Sequence, residues 1–245
     1  AAPLPPPAGL SAGPAPSAAP AGPGEPAPLP LASASAAPYD YAAPVPQTQP
    51  VDVDWFDDAA FLGDSRTEGL LLYTDLSPAG RLAYRGLNVQ TVRTKRFVPQ
   101  DGGTVTALDC LQSVSYGKIY LMLGVNELSW MTPPDYRQRY GELLDLILAV
   151  QPQAQIYLQT IIPVTAAKSA QGEFTNERIL AFNQEIRGLA AEKQVYLVDV
   201  WSAFVDEDGC LPQEESSDGV HLYQRHYQRW LDYLAVHTVS PAAPS

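Results

Sequence analysis

Between Ala59 and Val236 the chain alternates short apolar runs with longer stretches whose apolar residues recur every three or four positions. The runs predict strands and the periodic stretches predict helices. Ala59–Leu62 reads as a first strand, followed by a helix over Arg66–Tyr73. Leu82–Leu87 reads as a second strand ending in a loop. Thr104–Ser115 has Ala107, Leu108, Leu111 and Val114 at helical spacing. Lys118–Leu123 is uniformly apolar after its lysine and reads as a strand buried on both faces. Pro133 and Pro134 open a helix over Asp135–Val150, with Leu143, Leu144, Ile147 and Leu148 inward. Gln155–Ile162 is the next strand. Thr175–Lys193 is a helix with Ile179, Phe182, Ile186 and Leu189 on one face, Val195–Val200 is the last strand, and Leu222–Val236 is the closing helix. Strands taking turns with helices imply a parallel sheet covered by helices on both faces.

The first 50 residues are a different material. They hold 15 of the 24 prolines and 15 alanines, with no lysine or arginine. Nothing there can bury a core, so residues 1–50 are expected to form an extended, partly polyproline II linker or stalk. At roughly 3 Å per residue such a segment reaches about 150 Å when stretched. Residues 51–239 have the size of one α/β domain, and 240–245 form a short tail. A Pro/Ala-rich leader ahead of a folded domain fits a surface stalk. The expected location is therefore extracellular or cell-surface, tethered through the leader, with a plain interdomain spacer as the alternative. The chain begins with Ala, which leaves room for a removed upstream segment.

Charge narrows the partners. The net charge is −12, from 15 basic and 27 acidic residues. That disfavours nucleic acid, whose phosphates need a basic face, and a polybasic contact with a membrane surface. No apolar stretch approaches the ~20 residues that cross a bilayer. The two cysteines, Cys110 in a predicted helix and Cys210 in a polar loop, fit either two free thiols or one disulfide of a secreted protein. There is no Cys-x-x-Cys and no His-Glu-x-x-His, and the acidic stretches Asp52–Asp58 and Asp206–Asp208 lack a calcium-loop pattern. No metal and no cofactor are expected.

In a parallel sheet, ligands collect at the carboxyl ends of the strands. Three chemically loaded segments fall there or open the last helix: Gly63-Asp64-Ser65, Gly124-Val125-Asn126-Glu127 and Asp218-Gly219-Val220-His221. A serine on a tight strand-to-helix turn has its hydroxyl lifted from the sheet, beside the free N–H groups of a helix start. Such a serine is a candidate nucleophile, and a helix cap is its plain alternative. His221 is a candidate base and Asp218 the carboxylate that would orient it, with a cap of the last helix and a surface histidine as their plain readings. Asn126, and the N–H of Gly86 in Tyr84-Arg85-Gly86-Leu87, are candidate oxyanion donors, each also readable as an ordinary turn residue. Gly9-Leu10-Ser11-Ala12-Gly13 spells a nucleophile elbow letter for letter, but the elbow needs a strand before it and a helix after it. Neither is expected in the leader.

Taken in order, Gly-Asp-Ser, the lone Gly86, Gly-x-Asn and Asp-x-x-His resemble the SGNH/GDSL hydrolase superfamily over about Ala59–Val236. The resemblance implies a three-layer α/β/α sandwich around a five-stranded parallel sheet, a flavodoxin-like arrangement. It also implies Ser65 as nucleophile, His221 as base, Asp218 as its partner, and an oxyanion hole from the Ser65 N–H, Gly86 and Asn126. Two residues depart from the family's usual pattern. Glu127 stands where an aspartate is usual, and Arg66 follows the serine. Arg66 is expected either to meet an anionic substrate group or to pair with Asp64 or Glu127, and Trp130 is the aromatic expected to meet substrate. The function expected is an extracytoplasmic serine esterase that hydrolyses small acyl esters. O-acetyl groups on a carbohydrate or cell-wall glycan are the expected substrate, with an acyl-enzyme on Ser65. An O-acyltransferase of the same fold and a catalytically silent surface binding module are the alternatives.

Overall fold

The computed structural model describes residues 39–240. In chain order its first half contains β1 (Ala59–Gly63), α1 (Ser65–Tyr73), β2 (Gly80–Ala83), β3 (Arg96–Gln100), β4 (Gly103–Thr106), α2 (Ala107–Ser113) and β5 (Lys118–Met122). The second half contains α3 (Pro133–Val150), β6 (Gln155–Gln159), α4 (Ala166–Ser169), α5 (Asn176–Lys193), β7 (Tyr196–Val198), α6 (Trp201–Phe204) and α7 (Gln224–Ala235). Five strands form one parallel sheet in the order β2-β1-β5-β6-β7. This is the α/β architecture that the alternation predicts, with the five-stranded parallel sheet that the resemblance implies.

Strand residues alternate between faces, and each face has its own core. Ala60, Leu62, Ile119, Leu121, Ile156 and Leu158 pack with α2, α3 and α5. Ala59, Phe61, Tyr120, Met122, Tyr157 and Val198 pack with α1, α6 and α7. Burial on both faces explains why β1 and β5 read as unbroken apolar runs. On the second face four rings stand in register across four strands: Phe61, Tyr120, Tyr157 and Tyr196. Successive centroids are 4.8, 4.6 and 5.2 Å apart. The helices begin where capping chemistry puts them. Thr132 precedes Pro133 at the start of α3, Thr175 caps α5, and Thr106 with Asp109 forms a capping box on α2.

Five expectations are corrected. The stretch read as a helix over Thr104–Ser115 is β4 followed by the shorter α2, and β4 pairs with β3 in an antiparallel hairpin. The second strand is Gly80–Ala83, and Tyr84–Leu87 is a turn rather than its continuation. The strand over Gln155–Ile162 stops at Gln159, and Val195–Val200 contributes only Tyr196–Val198. Part of the expected linker is packed. Val45 is buried, and its N–H donates to the Leu197 carbonyl (2.8 Å) on the open edge of β7. Tyr39 and Tyr41 lean on Tyr196, with centroids 5.0 and 5.5 Å away. One apolar anchor and a few aromatics suffice there because the strand edge supplies backbone partners. The packed chain thus begins no later than Tyr39, and the Ser11 motif lies outside the described residues.

Cys110 and Cys210 are free thiols. Cys110 Sγ lies 3.3 Å from the Tyr116 hydroxyl, and Cys210 Sγ accepts from Asn176 Nδ2 at 3.3 Å. Among the described residues no helix is long and apolar enough to cross a membrane.

Candidate active site

The site begins with the constraint on Gly63. A Cβ there would lie 2.0 Å from Thr67 Oγ1 and 2.7 Å from the Met122 carbonyl oxygen. Only a hydrogen side chain lets α1 fold back so closely on the end of β1. Asp64 then adopts extended backbone, and its Oδ1 accepts the Arg66 N–H at 2.9 Å. Asp64 is therefore the cap, and Ser65, the first residue of α1, keeps its hydroxyl free for other work. That hydroxyl lies 2.7 Å from His221 Nε2, and His221 Nδ1 lies 2.6 Å from Asp218 Oδ2.

Asp218 does not cap the last helix, because α7 starts at Gln224 and its cap position is Tyr223. Its Oδ1 instead accepts the backbone N–H groups of Val220 and His221, both at 2.8 Å. The turn is tied further by Ser216, whose hydroxyl donates to the His221 carbonyl (2.6 Å) and accepts the Gly219 N–H (2.9 Å). Partial burial pushes the Asp218 carboxyl upward. The His221 backbone N–H, the imidazole and the Val220 N–H outweigh that and hold it well below the usual carboxylate range. Asp218 is a fixed negative charge on the far side of the imidazole. A serine hydroxyl on one ring nitrogen and an anchored carboxylate on the other is the geometry for passing the serine proton to the ring.

The oxyanion candidates sit at the carboxyl ends of three neighbouring strands, β2, β1 and β5. Leu87 N–H donates to the Tyr84 carbonyl (3.0 Å), closing a turn in which Gly86 has φ +74°, a conformation that favours glycine. The N–H groups of Ser65 and Gly86 donate to nothing among the described residues. Asn126 Nδ2 donates to the Leu87 carbonyl at 2.9 Å, which leaves the amide's second N–H without a partner among the described residues. Two hollows meet at Ser65 and His221. One, of ≈ 230 Å³, is walled by Val125, Asn126, Lys168, Phe174 and Val220. The other, of ≈ 300 Å³, is walled by Glu68, Leu72, Tyr73, Arg85 and Tyr227.

Arg66 corrects both expectations placed on it. It is fully buried, so it touches no substrate. It makes no ion pair with Asp64 or Glu127 either. Nη1 donates to the Ile162 carbonyl (2.7 Å), and Nε and Nη2 have no partner among the described residues. Burial pulls its guanidinium down, opposed by attraction to Asp64, while burial pushes Asp64 up. Trp130 has a half-exposed ring, and its indole N–H donates to the Asn126 carbonyl at 2.7 Å, beside the hollows rather than in them. Lys168, Phe174, Leu72 and Tyr73 were not singled out from the sequence. Leu72 stands seven residues beyond Ser65 on α1, so helical spacing was the available signal. Lys168 and Phe174 lie beyond the end of β6, a fourth carboxyl end that carries no recognisable motif. Among the described residues no cluster of three or more His, Cys, Asp or Glu side chains is placed to hold a metal.

Comparison with known proteins agrees with this arrangement. No curated protein matches the chain. A protein described as a platelet activating factor from Streptococcus pneumonia has a similar structure, with a TM-score of 0.58 and 25% identity over 72% of this chain and 81% of that one. A peptidoglycan O-acetylesterase shares the fold at a TM-score of 0.51 and 17% identity, over 64% of this chain and 44% of that one. A carbohydrate esterase family 3 protein from Talaromyces cellulolyticus does so at 0.50 and 16%, over 72% and 93%. The sequence pattern of one family spans residues 61–229, from β1 to the middle of α7, and takes in every residue of the site. The chain belongs to the GDSL-like lipase/acylhydrolase family, a family of serine hydrolases.

Proposed function

We propose that this acylhydrolase removes small acyl groups, O-acetyl foremost, from a carbohydrate or cell-wall glycan, through an acyl-enzyme on Ser65. The observation that carries the reading is the 2.7 Å approach of Ser65 Oγ to His221 Nε2, with His221 Nδ1 held at 2.6 Å by Asp218. Ser65 Oγ attacks the ester carbonyl while His221 takes its proton. The developing oxyanion is met by the N–H groups of Ser65 and Gly86 and by Asn126 Nδ2. His221 returns the proton to the departing sugar oxygen, and the C–O bond to the sugar breaks. Water then attacks the acyl-Ser65 carbonyl, giving its proton to His221, and the ester bond to Ser65 breaks as His221 passes that proton to Ser65 Oγ, releasing the free acid and restoring the serine.

The small-acyl part is supported by the protein of the same fold described as a peptidoglycan O-acetylesterase, and the hollow beside Asn126, walled in part by Phe174 and Val220, is the place offered to the acyl group. The glycan part is supported by the open second hollow with Tyr73 in its wall, and by two proteins of the same fold that are described as a peptidoglycan O-acetylesterase and a carbohydrate esterase. The extracytoplasmic setting rests on the Pro/Ala-rich leader.

The test is hydrolysis of p-nitrophenyl esters from acetate to octanoate, together with acetate release from acetylated xylan and O-acetylated peptidoglycan. Acetate is expected to be the best of the series. Octanoate turned over faster than acetate would overturn the small-acyl part, and acetate released from neither polymer would overturn the glycan part. Transfer of acetyl to an added oligosaccharide in preference to water would make it a transferase. Ser65→Ala is expected to lower kcat by about 10⁴ to 10⁶. A variant keeping a tenth of the wild-type rate would remove Ser65 from the chemistry.

A further inference from the structure

Glu127 is fully buried and ends the short helical turn Val125–Glu127 that carries Asn126. Its Oε1 accepts the Val89 N–H at 2.8 Å. One residue earlier, Asn126 Nδ2 donates to the Leu87 carbonyl at 2.9 Å. Two consecutive residues of the β5 turn therefore grip two alternate residues of the segment that leaves Gly86. Leu87 and Val89 are themselves buried, so this segment is seated where the bonds can hold it. An aspartate, one methylene shorter, would carry its carboxylate less far toward Val89.

We propose that Glu127 is a positioning residue for the oxyanion site: it clamps the Gly86–Val89 segment to the Asn126 turn and so fixes the Gly86 N–H relative to Asn126 Nδ2. The inference rests on reading Gly86 and Asn126 as oxyanion donors. Glu127 touches no substrate and lines neither hollow.

The surroundings decide in which protonation state the clamp works. Asp64 approaches from the β1–α1 junction, Tyr136 and Tyr140 lie on α3, and Val89 presents its backbone N–H. No cation is among them. Burial, with Asp64 adding repulsion and the Val89 N–H opposing both, pushes the Glu127 carboxyl up to about 8. Burial keeps the two tyrosine hydroxyls neutral until well above 10. At neutral pH Glu127 is thus an uncharged acid whose Oε1 still accepts. Ionisation above about pH 8 places a charge without a cation in a buried site, a cost to the folded state, while Oε1 goes on accepting the Val89 N–H.

The experiment is kcat and KM on p-nitrophenyl acetate from pH 6 to 9.5, corrected for spontaneous hydrolysis, in wild type, Ser65→Ala, Glu127→Ala and Glu127→Gln. Glutamine keeps an acceptor for the Val89 N–H and cannot ionise. Glu127→Ala is expected to lose about 100-fold in kcat with KM within about twofold, the pattern of a lost transition-state interaction. Glu127→Gln is expected to recover at least about tenfold of that loss throughout that pH range, because its amide oxygen still accepts the Val89 N–H. A Gln variant no faster than Ala, or a loss in Ala that falls on KM, overturns the proposal. Should Glu127→Ala fail to fold, Glu127→Gln decides alone: kcat within about tenfold of wild type at unchanged KM is expected, and a larger loss overturns the proposal. Activity retained in Ser65→Ala would instead sink the reading of the site on which the proposal stands.

Discussion

Replacing Asp218 with asparagine tests the two halves of one side chain separately. Oδ1 holds the turn through the N–H groups of Val220 and His221, and Oδ2 faces the imidazole. In Asp218→Asn the amide oxygen takes the Oδ1 position, because two N–H donors there need an acceptor. The NH₂ group then points at His221 Nδ1, which must accept instead of donate. The ring proton moves to Nε2, so a donor faces Ser65 and the ring cannot take the serine proton. Loss of the right tautomer in a serine triad lowers turnover by about 10⁴. At 1.36 kcal/mol per decade that is about 5.4 kcal/mol of barrier. The fold, by contrast, keeps both backbone hydrogen bonds, and its stability is expected to change by no more than about 1 kcal/mol. For a domain of this size that is a melting shift of about 2–4 °C. The assay pairs kcat on p-nitrophenyl acetate with a thermal melt of the same preparation. A variant that melts several degrees earlier yet hydrolyses at the wild-type rate would make Asp218 a turn stabiliser with no part in catalysis.

Asn126→Ala is expected to lower kcat by about 10² to 10³ with little effect on KM, since an oxyanion donor acts in the transition state; an effect confined to KM would assign the amide to ground-state binding. Gly63→Ala drives a methyl into Thr67 and the Met122 carbonyl, at a cost of about 1–3 kcal/mol for overpacking. A differential melt should show a drop of several degrees together with reduced kcat, because Ser65 lies two residues on. An unchanged melt with full activity would refute the steric account of this glycine.

The parts of the fold legible in the sequence are those where burial and pattern coincide. β1 and β5 are buried on both faces and read as apolar runs, and α3 and α5 each turn one regular face to the core. The β3–β4 hairpin was not legible, because most of its residues are exposed and its β4 end runs directly into the capping box of α2. Residues 39–50 mislead for a related reason. Val45 is an isolated apolar residue among prolines and alanines, and its partner is the backbone of β7, which no side-chain pattern announces. At the site, Ser65, Gly86, Asn126, Asp218 and His221 stood out because their types and order carry chemistry. Arg66 and Glu127 were legible as unusual residues but not as buried ones. A charged side chain inside the protein is set by what surrounds it in space, and those surroundings come from elements far along the chain.

The aromatic rung across the sheet has a consequence for how the molecule assembles. Residues 61, 120, 157 and 196 belong to four strands joined by crossovers, so the rung closes only after three long loops have been closed. Such topologies fold slowly, because distant contacts must form before they stabilise anything. A one-residue slip of any strand would turn its ring to the opposite core. The same slip in β1 would displace Ser65, and in β5 it would displace Asn126. Stacked rings and site therefore share the register of these two strands. Recovered esterase activity in a refolding experiment accordingly counts molecules in which β1 and β5 have found their partners at the correct residue, and collapsed chains that are compact but out of step there contribute nothing to it.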